Sequence, residues 1–232
     1  MFLKLKNKKI IVITVFVFLI VIFLIFFLKN NYKIFETGNT MSNKSIEEME
    51  EYILNISSYE AEVAVTIESN KNNNKYVMKQ QYIAPNLSKQ TILEPSNIEG
   101  IQIVYDGENL QINNSKLNLS KIYENYEYIA NNVLCLESFI QDYIKSKEEN
   151  NTKRYEENGE YVLETKIQIN NQYRENKKLY IDKNTGKPTK LLVQDINEKT
   201  VVYILYNEIK INDLKEQDIL AMQTIEPYVR VY

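Results

Sequence analysis

The chain has 232 residues, 25% of them charged, and a formal charge of −3. It holds no histidine and a single cysteine, which removes the usual general base, the usual zinc ligand, the Ser-His-Asp and Cys-His arrangements, and any internal disulfide. Residues 1–33 carry six lysines and no acid, so the remainder carries −9, which argues against nucleic acid and polyanionic wall polymers and suits a basic protein partner.

Lys4, Lys6, Lys8 and Lys9 form a basic tail over residues 1–9. They precede nineteen residues without charge, Ile10 to Leu28. As a helix this run would be about 28 Å long, close to the ~30 Å hydrocarbon core of a bilayer. The lysine bias predicts a transmembrane signal anchor with a cytoplasmic N-terminus and an extracytoplasmic C-terminal domain in the cell membrane. A cleaved signal peptide fits less well, because Phe26-Phe27-Leu28-Lys29-Asn30-Asn31 offers no small-residue cleavage site. Residues 29–44 read as a polar juxtamembrane linker, and residues 45–232 as one domain.

Ser45-Ile46-Glu47-Glu48 is a capping-box pattern and starts a helix with Ile46, Met49, Ile53 and Leu54 on one face. From Tyr59 the period becomes two. Tyr59, Ala61, Val63, Val65 and Ile67 share the apolar side of a strand. Asn70–Asn74 is a turn, and a return strand through Tyr76, Met78, Gln80 and Tyr82 stops near Pro85. Short strands follow at Lys89–Glu94, Ile101–Asp106 and Asn109–Asn113, with Asp106-Gly107 turning the last pair. Leu117 and Leu119 mark another extended piece.

The next helix is the strongest after the first. Leu136, Phe139, Ile140, Tyr143 and Ile144 form its apolar stripe and are the candidate groove or plug residues. Glu137, Gln141, Asp142 and Lys145 fall off the stripe. Cys135 borders it as a half-buried filler. Strands resume at Tyr161–Ile169 after an Asn158-Gly159 turn, at Lys177–Asp182 and at Thr189–Ile196. Val201–Tyr206 is apolar on both faces, as expected of a strand covered on two sides, with the 133–146 helix as a candidate second cover. The order predicts an α+β fold: a curved antiparallel sheet of nine or ten strands with the helix in its concave face, preceded by one transmembrane helix.

The acidic pairs Glu47-Glu48, Glu50-Glu51, Glu148-Glu149 and Glu156-Glu157 read as solvated surface rather than as acid/base machinery. No calcium loop and no phosphate-cradling glycine loop occurs. Many of the tyrosines fall on apolar strand faces, where packing is their default role. The reading is of a non-enzyme without cofactor or metal.

Several patterns resemble the LolA-like fold, the open half-barrel of lipoprotein carriers. They are Tyr82-Ile83-Ala84-Pro85-Asn86, Tyr105-Asp106-Gly107-Glu108-Asn109-Leu110, Leu179-Tyr180-Ile181-Asp182 with Gly186-Lys187-Pro188, Asp195-Ile196-Asn197 and Tyr206-Asn207-Glu208. Within that fold, Leu117-Asn118-Leu119-Ser120-Lys121-Ile122-Tyr123-Glu124-Asn125, leading to Ser138-Phe139-Ile140, resembles the GerS-related germination proteins of spore-forming Gram-positive bacteria. The resemblance implies binding and support of a cortex-modifying N-acetylmuramoyl-L-alanine amidase. Unlike that family's lipoproteins, this chain has no lipid-accepting cysteine after its apolar run. Self-association is a second partner expectation. A lipid or acyl chain in the hollow is the alternative function, as a carrier or sensor.

Overall fold

The computed structural model describes residues 44–69, 72–126 and 133–220, apart from the side chains of 169–171 and 220. The basic tail, the Ile10–Leu28 run and residues 29–43 of the linker lie outside the described residues. Among the described residues no helix is long and apolar enough to cross a membrane.

The first helix, α1 (Ile46–Leu54), begins where the capping box predicts. Ser45 Oγ accepts from Glu48 N, and the Glu48 carboxylate accepts from Ser45 N at 2.8 Å, so two orphan donors of the first turn are satisfied. Six strands follow: β1 (Ser58–Glu68), β2 (Asn73–Ile83), β3 (Leu87–Glu94), β4 (Ile101–Tyr105), β5 (Leu110–Asn114) and β6 (Leu119–Tyr123). Then come helix α2 (Leu136–Glu148) and strands β7 (Thr152–Glu157), β8 (Glu160–Asn171), β9 (Arg174–Asp182), β10 (Pro188–Gln194) and β11 (Thr200–Ile211). A short helix, α3 (Glu216–Leu220), ends the described chain.

All eleven strands form one curved antiparallel sheet in the order β6-β5-β4-β3-β2-β1-β11-β10-β9-β8-β7. Each strand pairs with its sequence neighbour except at one point. β6 and β7 are consecutive in the chain yet occupy opposite edges of the sheet. The segment joining them, which carries α2, therefore has to travel from one edge to the other. Its described helix, α2, lies on the inner face.

Register defines that face. The row Tyr59, Tyr82, Ser88, Tyr105, Leu110 and Tyr123 crosses six strands. A second row, Val65, Ile204, Leu191, Leu179 and Leu163, continues over the other half. Four of these five are fully buried and Val65 is 1% exposed. Burial of such a side chain contributes about 1.5–3 kcal/mol. Leu136, Phe139 and Tyr143 of α2 join the same core, and α2 packs chiefly on β8.

The β7–β8 link is a two-residue turn, Asn158-Gly159, with φ of +51° and +83°. Two left-handed residues give the type I′ geometry that matches the twist of the paired strands, and the asparagine and glycine tolerate it.

Two expectations change. The sheet has eleven strands because Thr152–Glu157, a charged segment with no apolar alternation, is a strand. β11 is not covered on both sides. Val202, Ile204 and Tyr206 are buried, but Tyr203 and Leu205 are exposed, since α2 lies only on the inner face. Ile204→Ala should then cost about 2–5 kcal/mol of unfolding free energy, through lost burial and a cavity. Leu205→Ala, one residue along on the open side, should stay within about 0.5 kcal/mol. Urea unfolding of the two variants measures the contrast.

Candidate functional site

The stripe on α2 faces the sheet, and the structure brings four of its five candidate residues together. Leu136 and Phe139 are fully buried, Tyr143 is 1% exposed and Ile140 8%. Phe139 and Tyr143 stack at 5.7 Å. Ile144 does not join them. It is 42% exposed, on the side of the helix turned to solvent.

Polar groups fix this helix as firmly as apolar ones do, and sequence reasoning missed them. At its N-terminal end the Tyr59 hydroxyl donates to Glu137 Oε2 at 2.5 Å and accepts from Leu136 N at 3.3 Å. Glu137 is 5% exposed. Burial pushes its carboxyl above the ordinary value, although Tyr59, its own backbone N–H, the Cys135 thiol and the Lys177 charge all favour the ionised form. Gln90 Nε2 donates to Cys135 Sγ at 3.0 Å, and Gln80 Nε2 donates to the Leu134 carbonyl at 2.8 Å.

One turn further on, Lys177 rises from β9 in line with Val193 of β10 and Thr165 of β8. It is fully buried. Its ammonium meets Asp142 Oδ2 at 2.8 Å and donates to Ser138 Oγ at 2.8 Å. Burial lowers its affinity for the proton, and Asp142 offsets part of that. The Asp142 carboxylate also accepts from Gln168 N, and Thr165 Oγ1 donates to the Asp142 carbonyl. Ser146 continues the seam by donating to the Lys166 carbonyl at 3.3 Å.

A second cluster ties α1 to α2 and β7. Glu50, read from sequence as solvated, is 2% exposed. It accepts from Lys147 at 2.6 Å and from Arg154 at 2.5 Å, and Arg154 also reaches Glu47 at 3.3 Å. Burial raises the Glu50 carboxyl, but the two cations outweigh it and hold it below the ordinary value.

Chemically, these groups are committed to holding the helix. Cys135 and Glu137 form the one thiol–carboxyl pair, sealed beneath the α2 N-terminus. Among the described residues no group of three or more Cys, Asp or Glu side chains could hold a metal. On the outer face, a cavity of about 650 Å³ lies beside α3, lined by Glu60, Lys79, Gln81, Lys210, Asp213 and Leu214 among others. Its floor is internally paired: Lys79 and Gln81 both bind Glu60 Oε2, at 3.0 and 2.9 Å.

The two edges of the sheet differ in chemistry. β7 is studded with paired charge: Lys153 with Glu164, Arg154 with Glu50, and Glu156 with Lys183. β6 is exposed along its whole length and presents Leu119, Ile122 and Tyr123 to solvent. Leu117, in the turn before it, is exposed as well.

The described residues form a broad, curved antiparallel sheet with few helices and α2 packed on its inner face, the architecture expected from the sequence. The chain belongs to the family of YdcC-like sporulation proteins, whose model matches residues 8–219. No curated protein matches it. Among solved structures, one similar chain is an uncharacterised conserved protein from Thermus thermophilus, 15% identical, with 75% of this chain and 90% of that one covered at a TM-score of 0.45. Another comes from the complex of the CwlD amidase with the GerS lipoprotein of Clostridioides difficile. It is 24% identical, with 73% and 92% covered, at a TM-score of 0.42. A LolA superfamily protein from Nitrosomonas europaea is 13% identical, with 76% and 97% covered, at 0.41. The family assignment rests on the model match, and it agrees with the GerS-related resemblance read at 117–125 and 138–140.

The two buried carboxyls should respond to pH with opposite signs. Glu137 has a raised folded pKa, so its contribution is present below the unfolded value and is lost as pH rises through the folded one. Glu50 has a lowered folded pKa, so its contribution is present at neutral pH and is lost as pH falls. Denaturant unfolding at about pH 4.5 and pH 7.5 should show Glu137→Gln faring better against the parent at the higher pH, and Glu50→Gln faring worse there. Tyr206 supplies a further test. Its hydroxyl is buried and has no hydrogen-bond partner among the described residues, so Tyr206→Phe should leave the unfolding midpoint unchanged or raise it.

Proposed function

We propose that the chain is a membrane-anchored, extracytoplasmic, non-catalytic binding protein that supports a cell-wall amidase in sporulation or germination. The observation that carries the binding role is the filled inner face. Leu136, Phe139 and Tyr143 occupy it as core, and Lys177 and Tyr59 fix them there by hydrogen bonds from the sheet. A module built this way offers partners its edges and outer surface.

Sporulation comes from the family. The amidase comes from the GerS-related pattern at Leu117–Asn125, and the charge of −9 on the outer part suits a basic enzyme. The anchor is supported by the length and flanks of Ile10–Leu28 and by a family match that begins at residue 8, before that run. The carrier reading has less support, since the candidate plug residues leave an acyl chain no vacant place beneath α2.

The test is purification of the full-length, detergent-solubilised chain from sporulating cells, with bound proteins and lipids identified together. A wall amidase should co-purify in near-stoichiometric amount, and native mass spectrometry should find no bound acyl lipid. Abundant chain with lipid and no wall enzyme would establish the carrier instead. A reporter joined after Tyr232 should be active only outside the cytoplasm.

A further inference from the structure

We propose that the free edge of β6 receives an extended strand from a different protein, one that sets an acidic residue opposite Lys121 between apolar neighbours. This inference rests on the binding role above and names the surface that performs it.

Among the described residues β6 pairs only with β5, so the other side of its backbone offers N–H and C=O groups to a further strand. Proteins commonly defend such edges with charge, as β7 does here. β6 carries a single charge, Lys121, which forms no ion pair among the described residues. Its five residues, about 17 Å of chain, include Leu119, Ile122 and Tyr123, all exposed.

The one charge on the strand selects the occupant. Leu119, Lys121 and Tyr123 point to the same face, with the Lys121 ammonium 4.5 Å from the centre of the Tyr123 ring. Among the described residues no carboxylate pairs with Lys121. An incoming strand with an apolar-acidic-apolar alternation matches this face, the acid meeting Lys121 and the apolar side chains meeting Leu119 and Tyr123. A second copy of β6 matches it poorly. Antiparallel self-pairing with full overlap is centred on Lys121 and sets Lys121 against Lys121, and like charges directly opposite are destabilising.

The experiment uses the full-length chain in detergent and fluorescent seven-residue peptides of alternating valine and threonine with a central glutamate or a central lysine. Anisotropy should show the glutamate peptide binding roughly two- to fivefold more tightly, the effect expected of one cross-strand charge pair. Lys121→Glu should invert the order. N-methylation of alternate peptide nitrogens should abolish binding. Failure of both peptides to bind, an order unchanged by Lys121→Glu, or equal binding of the methylated peptide would overturn the inference. The wall enzyme provides a separate check. If its recovery is undiminished by Leu119→Lys combined with Lys121→Glu, the β6 inference fails while the proposed function stands.

Discussion

The architecture turns on a connection that must cross the sheet. β6 and β7 follow one another in the chain but lie at opposite edges, and α2, in the segment between them, is buried along one side against the sheet. Apolar contact alone would allow α2 to slide over a smooth face of Leu, Ile and Val. The Lys177–Asp142–Ser138 and Tyr59–Glu137 contacts prevent this by giving the helix one register on the sheet. The arrangement carries an energetic cost. A buried ion pair gains little over a well-packed apolar pair, whereas removing one partner alone is strongly destabilising, by about 3–5 kcal/mol. Lys177 is best understood as a positioning device whose loss would be felt through Asp142.

With the inner face spent on packing, the proposed binding role falls to the edges and the outer face. Of the two edges, β7 is bound into the charge cluster around Glu50 and Arg154, which also fastens α1. β6 stands apart from that cluster and shows apolar side chains to water. The asymmetry follows from the topology. The edge next to the end of α2 gains neighbours that can supply charge, such as Lys147, while the opposite edge pairs, among the described strands, with β5.

Much of this fold was legible in the sequence because its signals are local. The capping box at Ser45, the Asn158-Gly159 turn, the period-two alternation of β1 and the stripe on α2 each lie within about a dozen residues. What was missed depends on partners far apart in the chain. Glu50 looked solvated because Lys147 and Arg154 are 97 and 104 residues away. Glu137 looked peripheral because its helix face is covered by Tyr59, 78 residues distant. β7 was overlooked because its side chains are mostly charged, and only its neighbours make it a strand. Ile144 fits the helical stripe in sequence but lies beyond the sheet's reach. One signal for Lys177 was present: it alternates with Leu179 and Ile181, which puts its side chain on their face.

The same packing bears on the contrast between a carrier and a platform. Lifting α2 to admit a lipid would return Leu136, Phe139, Ile140 and Tyr143 to water, at a cost on the order of 10 kcal/mol. It would also separate Lys177 from Asp142. That cost rivals the entire stability of a typical domain, about 5–15 kcal/mol. An acyl chain recovers about 0.8 kcal/mol per buried CH₂, so roughly a dozen methylenes would only break even. A curved sheet alone therefore does not imply a lipid site in this chain. The inner face is filled by the connection that the strand order requires, and the surface left for a partner is the one that this connection leaves uncovered.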